Sequence, residues 1–220
     1  MGTRRHSQGN FQMLDLTSLN EKISLCTACK LGEDRTNAVP GEGPKDPDVM
    51  FIGEAPGFYE DREGKPFVGQ SGKFLNELIK EAGLTREKVF ISNIVKCRPP
   101  NNRDPLPDEI DTCEELWLSQ QIKALQPKII VTLGRHSLSR FLPNETISRV
   151  HGQPRLKGDL LIFPMYHPAA ALHQPKLRGT LISDMQKLPN LIKKENKIEN
   201  QEVPAQPETD EPNPKQLRML

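Results

Sequence analysis

The chain has 220 residues, 35% hydrophobic and 27% charged, with a formal net charge of +1. That length suits one domain with a full core, and a charge so near zero leaves any polyanion-binding face to a local basic patch. No apolar run reaches the length of about 18 residues that a transmembrane helix needs, and no apolar segment follows the basic residues near the start, so neither a membrane span nor a secretory signal is expected.

In chain order, residues 1–13 read as a flexible N-terminus. LTSLNEKISLCTACKL is a short amphipathic helix ending near Cys26, and DVMFIG is a buried strand bounded by turn residues. Gly53 to Gly69, GEAPGFYEDREGKPFVG, is a long loop with four glycines, two prolines, four acids and three aromatics. GKFLNELIKEAGL is a helix with Phe74, Leu75, Leu78 and Ile79 on one face and Gly83 as its stop. KVFISNIVKC is a second strand, PNNRDPLPDE a Pro-rich loop, and a helix runs from Asp108 to about Gln126. PKIIVTLG is a third strand, RHSLSRFL a helix, and GDLLIFPMYHP a fourth strand. AAALHQPKLRGTLISDMQKLPNLI supplies the last helix, broken near Pro175. Residues 193–220 carry too little apolar surface to offset their ordering entropy and read as a disordered tail, which leaves 14–192 as the domain.

Continuous apolar strands alternating with helices specify an α/β fold: three layers, α/β/α, around a central four-stranded parallel sheet. In such a sheet ligands sit at the C-terminal strand ends. GEAPG, SNIVKCRPPNNR, LGRHS and YHPAAAL converge there.

The cytoplasm is the expected compartment, where disulfides are rare, so the four cysteines call for another role. Cys26 and Cys29 form C-x2-C, and Cys97 and Cys113 lie far downstream. Four such thiols can close a cage around Zn or a [4Fe–4S] cluster, and the second pair, not being a knuckle, favours the cluster. GKPFVGQSGKF fails as a phosphate loop, because Phe74 follows Lys73 where Ser or Thr is required. Asn93 lies inside an apolar strand, where an amide needs a partner. His167 ends a strand at the ligand edge, and Phe67 sits in the loop above it. An amide, an imidazole, an aromatic ring and a carboxylate on one edge are the groups that read an extruded base.

GEAPGFYEDREGKPFVGQSG, ISNIVKCRPPNNRDP and YHPAAAL, together with Cys26, Cys29, Cys97 and Cys113, resemble the family 4 uracil-DNA glycosylases, iron–sulfur enzymes of bacteria and archaea. The resemblance covers about Leu16 to Leu188. It implies uracil excision from single- or double-stranded DNA in base excision repair. It implies a [4Fe–4S] cluster on the four cysteines, Glu54 or the Ala55 backbone at the attacking water, and Phe67 stacked on uracil. Asn93 would pair with N3–H and O4, and His167 would donate to O2. Glu60, flanking the pocket with Asp61, would exclude the methyl of thymine. Phe58 and Tyr59 are a bulky departure at a variable position, so the resemblance leaves their contacts open.

Leu172 is the candidate wedge for the vacated stack, against a plain helix-core leucine. Lys96, Arg98, Arg103, Lys176 and Arg178 are candidate phosphate contacts, against ordinary surface charges. A monomer is expected, and NPKQLRML at the end is a candidate sliding-clamp peptide. The alternatives are a four-cysteine DNA-binding module without catalysis, or a glycosylase for another deaminated base such as hypoxanthine.

Overall fold

A computed structural model of the chain describes residues 15–202. The expected flexible N-terminus, residues 203–220 of the expected tail and the candidate clamp peptide at 213–220 lie outside the described residues.

Helix α1 (Leu16–Ser24) starts where the Asp15 carboxylate accepts from the Ser18 amide at 3.2 Å, and it buries Leu16, Leu19 and Ile23 at helical spacing. The cysteine turn leads into α2 (Leu31–Asp34). Strand β1 (Val49–Gly53) is buried along its whole length. The stretch expected to be loop after β1 contains a short helix, α3 (Phe58–Glu63), which ends at Gly64 with φ 68°. It has no apolar stripe to announce it, because its inward residues are Glu60 and Asp61. Helix α4 (Gln70–Glu81) buries the expected face of Phe74, Leu75, Leu78 and Ile79.

Strand β2 (Phe90–Asn93) is shorter than the apolar run suggests. Beyond Asn93 the chain wraps over the end of β1, with the Ile94 and Val95 amides donating to the carbonyls of Gly53 and Glu54 at 3.0 and 3.1 Å. The helix expected from Asp108 to about Gln126 is present as α5 (Pro107–Cys113) and α6 (Ser119–Leu125), joined without a break by a π turn over Glu114–Leu118. Such widened turns cluster at functional positions, and this one follows Cys113.

The rest of the chain is β3 (Ile129–Leu133), α7 (Arg135–Phe141), α8 (Ile147–Val150), β4 (Arg155–Lys157), β5 (Leu160–Met165), α9 (Pro168–His173), α10 (Leu177–Met185) and α11 (Leu188–Glu202). The last expected helix is thus three, broken near Pro175 and again before Pro189. Helix α11 continues ten residues past the boundary expected at Ile192. Lys128 Nζ ties it down by donating to Asn196 Oδ1 at 2.7 Å, a long-range contact that composition does not reveal.

The sheet has five strands in the order β2-β1-β3-β5-β4. The first four are parallel, as expected, and β4 is an antiparallel edge paired with β5. Three partly exposed residues carry no strand signal of their own; the clue was the Gly-Asp pair behind them, where Gly158 turns the hairpin at φ 62°.

Alternation splits the strand residues between two cores. Val49, Phe51, Ile91, Val131 and Phe163 pack against α4, α10 and α11, whereas Met50, Ile52, Phe90, Ile130 and Ile162 pack against α1, α2, α6 and α7. This is the expected three-layer arrangement. Strands β2 and β3 flank β1 on opposite sides, so the topology switches direction beside β1, and a crevice opens at the strands' C-terminal ends.

Gly72 in α4 packs against the loop before it, and a Cβ there would lie 1.9 Å from the Phe67 carbonyl oxygen. Gly179 in α10 has open space around it. Gly72→Ala is expected to lower unfolding stability by about 2–3 kcal/mol. Gly179→Ala should raise it by roughly 0.5–1 kcal/mol through helix propensity. Urea denaturation of the two variants checks both signs.

Candidate active site

A cavity of about 580 Å³ opens at the crevice, lined by Glu54, Ala55, Gly57, Glu60, Phe67, Asn93 and His167 among others. That volume is ordinary for a small-ligand site. The structure therefore brings all six predicted catalytic and base-reading residues to one pocket, from the ends of β1, β2 and β5, from α3 and from the loop before α4.

Asn93 ends β2 with 1% exposure, and its Oδ1 has no hydrogen-bond partner. An orphaned buried acceptor is costly unless a ligand satisfies it. Room for it exists because Gly53 has no side chain: a Cβ there would lie 2.3 Å from Asn93 Oδ1 and 2.8 Å from Phe67 Cζ. His167 caps α9, its Nδ1 accepting from the Ala169 amide at 3.1 Å. Because Nδ1 accepts, the neutral ring carries its proton on Nε2, free to donate into the pocket. Burial lowers the His167 pKa to about 4, with the Glu60 charge opposing, so the ring is neutral at pH 7. Its ring lies 5.6 Å from that of Phe67 at an interplanar angle of 27°.

Glu60 is the pin of the loop. One carboxylate oxygen accepts from the Val68 and Gly69 amides, both at 2.9 Å, and the other from Gly57 at 3.2 Å. Asp61, expected to flank the pocket, instead turns away and accepts from the Thr36 and Asn37 amides at 2.9 and 3.3 Å. Glu54 follows β1, and its carboxyl titrates above the ordinary range because burial disfavours its charge and Asp104 adds to the effect, while His136 opposes it. His136 Nε2 lies 3.7 Å from Glu54 and 3.2 Å from Asp104. Sequence reasoning assigned no role to either partner. Their signal was position: LGRHS follows β3, and Asp104 sits in the Pro-rich loop facing it.

The basic candidates separate. Lys96 is 1% exposed and points inward, donating to Ser92 Oγ and the Asn93 carbonyl at 2.7 Å each, so it is not a phosphate contact. Arg103 forks onto Glu109 at 2.9 and 2.7 Å. Arg178 pairs with Glu77 and lies over Phe74. Arg98 bonds only the neutral Asn102 side chain, which lines the pocket, at 2.7 Å. Lys176 is exposed, as is Leu172, 48% exposed on α9, which is therefore not a core leucine.

The four cysteines are free thiols gathered from the turn after α1, the segment after β2 and the end of α5. Cys29 and Cys97 each feel the charge of Cys26, and Cys113 feels both Cys97 and Cys29. Burial pushes the Cys113 thiol up to about 12, with Lys96 opposing. Donors aim at three of the sulfurs: Arg35 at Cys97 at 2.8 Å, Trp117 at Cys26 at 3.2 Å, and the Lys96 amide at Cys113 at 3.3 Å. Such donors suit thiolates bound to a metal rather than buried thiols.

An α/β/α sheet with a pocket at its switch point, walled by an amide, an imidazole and an aromatic ring, suits an enzyme that handles a nucleobase. The uracil DNA glycosylase superfamily model matches residues 40–188. Type-4 uracil-DNA glycosylases are similar over most of their length. That of Sulfurisphaera tokodaii is 50% identical over 81% of this chain and 86% of its own. Those of Archaeoglobus fulgidus and Thermotoga maritima are 42% and 43% identical, over 83% and 80% of this chain and 96% and 94% of theirs. The chain belongs to the type-4 uracil-DNA glycosylase family.

A histidine with a native pKa near 4 binds fewer protons than the unfolded chain, where His titrates near about 6.5. Its contribution to stability is intact above that range and is lost as pH falls from about 6.5 toward 4, by at most about 3 kcal/mol. In His167→Asn this part of the pH dependence is expected to disappear. Urea unfolding of both proteins across pH 4–7.5 measures the difference.

Proposed function

We propose that this chain is a DNA repair glycosylase that takes an extruded uracil into the pocket and hydrolyses its N-glycosidic bond. The observation that carries the reading is the unpartnered Asn93 Oδ1 in a pocket that His167, with Nδ1 accepting and Nε2 left to donate, also lines. The amide suits N3–H and O4 of uracil, and the imidazole suits O2, with Phe67 offering a stacking face.

As C1′–N1 breaks, the electron pair stays on uracil and spreads from N1 to O2, while C1′ becomes cationic. A neutral His167 donor gains strength as O2 becomes anionic, so it favours the transition state over the ground state. Water adds its oxygen to C1′ and gives up one proton, which neutralises the departed uracil anion, leaving an abasic site and free uracil. Glu54, a carboxylate made more basic by burial, orients that water and balances the cation, with the Ala55 backbone as the alternative holder. Glu60, held by three amides, is a fixed wall that a C5 methyl would meet. Leu172 is the wedge for the vacated stack, and Arg98 is the basic candidate best placed to hold phosphate.

The donor set of Cys26, Cys29, Cys97 and Cys113 fits a [4Fe–4S] cluster. Among the described residues no three of these sulfurs lie within 4.8 Å of one another. Structural zinc favours two C-x2-C knuckles, and Cys97 and Cys113 do not form one, which favours the cluster. The cluster would serve as a crosslink between the turn after α1, the segment leading to Arg98 and the end of α5.

The test is an oligonucleotide with one uracil, incubated with the protein and cleaved in hot alkali, beside thymine and hypoxanthine strands. Cleavage is expected at uracil alone. His167→Ala should lower the rate roughly 10²–10³-fold. Cys97→Ala should abolish the brown colour and bound iron. Intact strands from an iron-loaded protein would leave a binding module, and cleavage at hypoxanthine alone would reassign the base.

A further inference from the structure

We infer that Phe58 and Tyr59, with Arg98 and Arg62, form a stacking platform for the nucleobase next to the extruded uracil in a single strand. The inference rests on the uracil reading above, and it concerns a surface to which neither the pocket chemistry nor the family resemblance gives a role.

Two adjacent aromatic rings are 50% and 51% exposed at the start of α3. Exposed rings of this size are unusual on a surface that has no partner. They are held in place rather than loose. The rings meet edge to face at 5.5 Å and 82°. The Arg98 guanidinium carbon lies 5.1 Å from the Phe58 centroid, and that of Arg62 lies 5.7 Å from Tyr59. Among the described residues neither arginine enters a salt bridge, in contrast to Arg103 and Arg178. Two cations thus stay available beside two rings.

The platform adjoins the pocket at two points. Gly57, which precedes Phe58, lines the pocket, and so does Asn102, which Arg98 holds at 2.7 Å. Tyr59 also lines a separate groove of about 360 Å³ together with Arg62 and Lys73, with Glu63 its one acid. A strand whose uracil fills the pocket would lay its neighbouring base on the rings and its phosphates on the arginines. Every base has a π face, so this contact needs no sequence preference. In a duplex the neighbouring base is already stacked and paired. In a single strand it is free to settle on the rings, which is why a single strand is the occupant.

The test replaces the nucleotides flanking the uracil with abasic tetrahydrofuran in a single-stranded substrate. Wild-type kcat/KM is expected to fall about 10-fold or more, as loss of one stacked base does. The double variant Phe58→Ala, Tyr59→Ala should fall by a similar factor on the intact strand and be indifferent to flank removal. A wild type indifferent to its flanks overturns the platform. So do losses that multiply, which would place the flank contact elsewhere, and so does a variant defect confined to duplex DNA. The wild-type comparison needs no variant, and the urea midpoint of the variant shows that it is folded. Should the wild type release no uracil, the glycosylase reading fails separately. Fluorescence anisotropy with a uracil-free single strand then still tests the rings: about 10-fold weaker binding by the variant supports them, and unchanged binding overturns them.

Discussion

The pocket depends on how closely backbone can approach one ring. Phe67 lies at φ 51°, a left-handed conformation that costs a bulky residue of order 1–3 kcal/mol. The strand end passes it at Gly53 and the helix start at Gly72, where any side chain would overlap Asn93 or the Phe67 backbone. The strain is held from both sides. Glu60 binds the two amides that follow Phe67, and Arg86 donates to the Phe67 carbonyl at 3.3 Å and to that of Pro66. Ring, amide and imidazole therefore stand at set spacing before any ligand arrives, which is what electrostatic catalysis requires.

The irregular segments around this centre are ordered by buried carboxylates that accept from backbone amides. Glu60 ties residues 57, 68 and 69, and Asp61 ties 36 and 37. Glu109 binds Arg103 and the Leu106 amide, and that guanidinium holds its carboxyl below the usual range. Removing one partner of such a group leaves a buried charge unsatisfied, which costs several kcal/mol. Lys96 is the link between two functions. Its amide faces Cys113, and its ammonium holds the carbonyl of Asn93, whose side chain lines the pocket. Burial has lowered its pKa to about 8, and the sulfurs of Cys113 and Cys97 oppose that shift. The cysteine cluster is thus tied to the same strand end that carries the Asn93 amide.

Much of this was legible in the sequence. Phe51, Ile91, Val131 and Phe163 lie in apolar runs too short for helices, and their alternation with amphipathic segments specified four parallel strands and the edge where ligands bind. The C-x2-C spacing of Cys26 and Cys29 marked them as candidate ligands, and GEAPG, Asn93 and His167 pointed to the pocket by falling at strand ends. These signals are local, carried by side-chain period and by turn chemistry over a few residues.

The tertiary structure decided what depends on distant partners. Strand β4 exists because Leu156 finds Leu161 across a hairpin, and α11 persists past Ile192 with Asn196 held by Lys128. Charge alone made Lys96, Arg98, Arg103 and Arg178 equivalent candidates. The fold buried the first, paired the last two with Glu109 and Glu77, and left Arg98 over Phe58. Asp104 and His136, 32 residues apart in the chain, meet at Glu54 only because the Pro-rich loop folds over the end of β3. Composition and periodicity determine which residues are buried and in what elements, but a charge acquires its role from its neighbours, and those neighbours are set by packing.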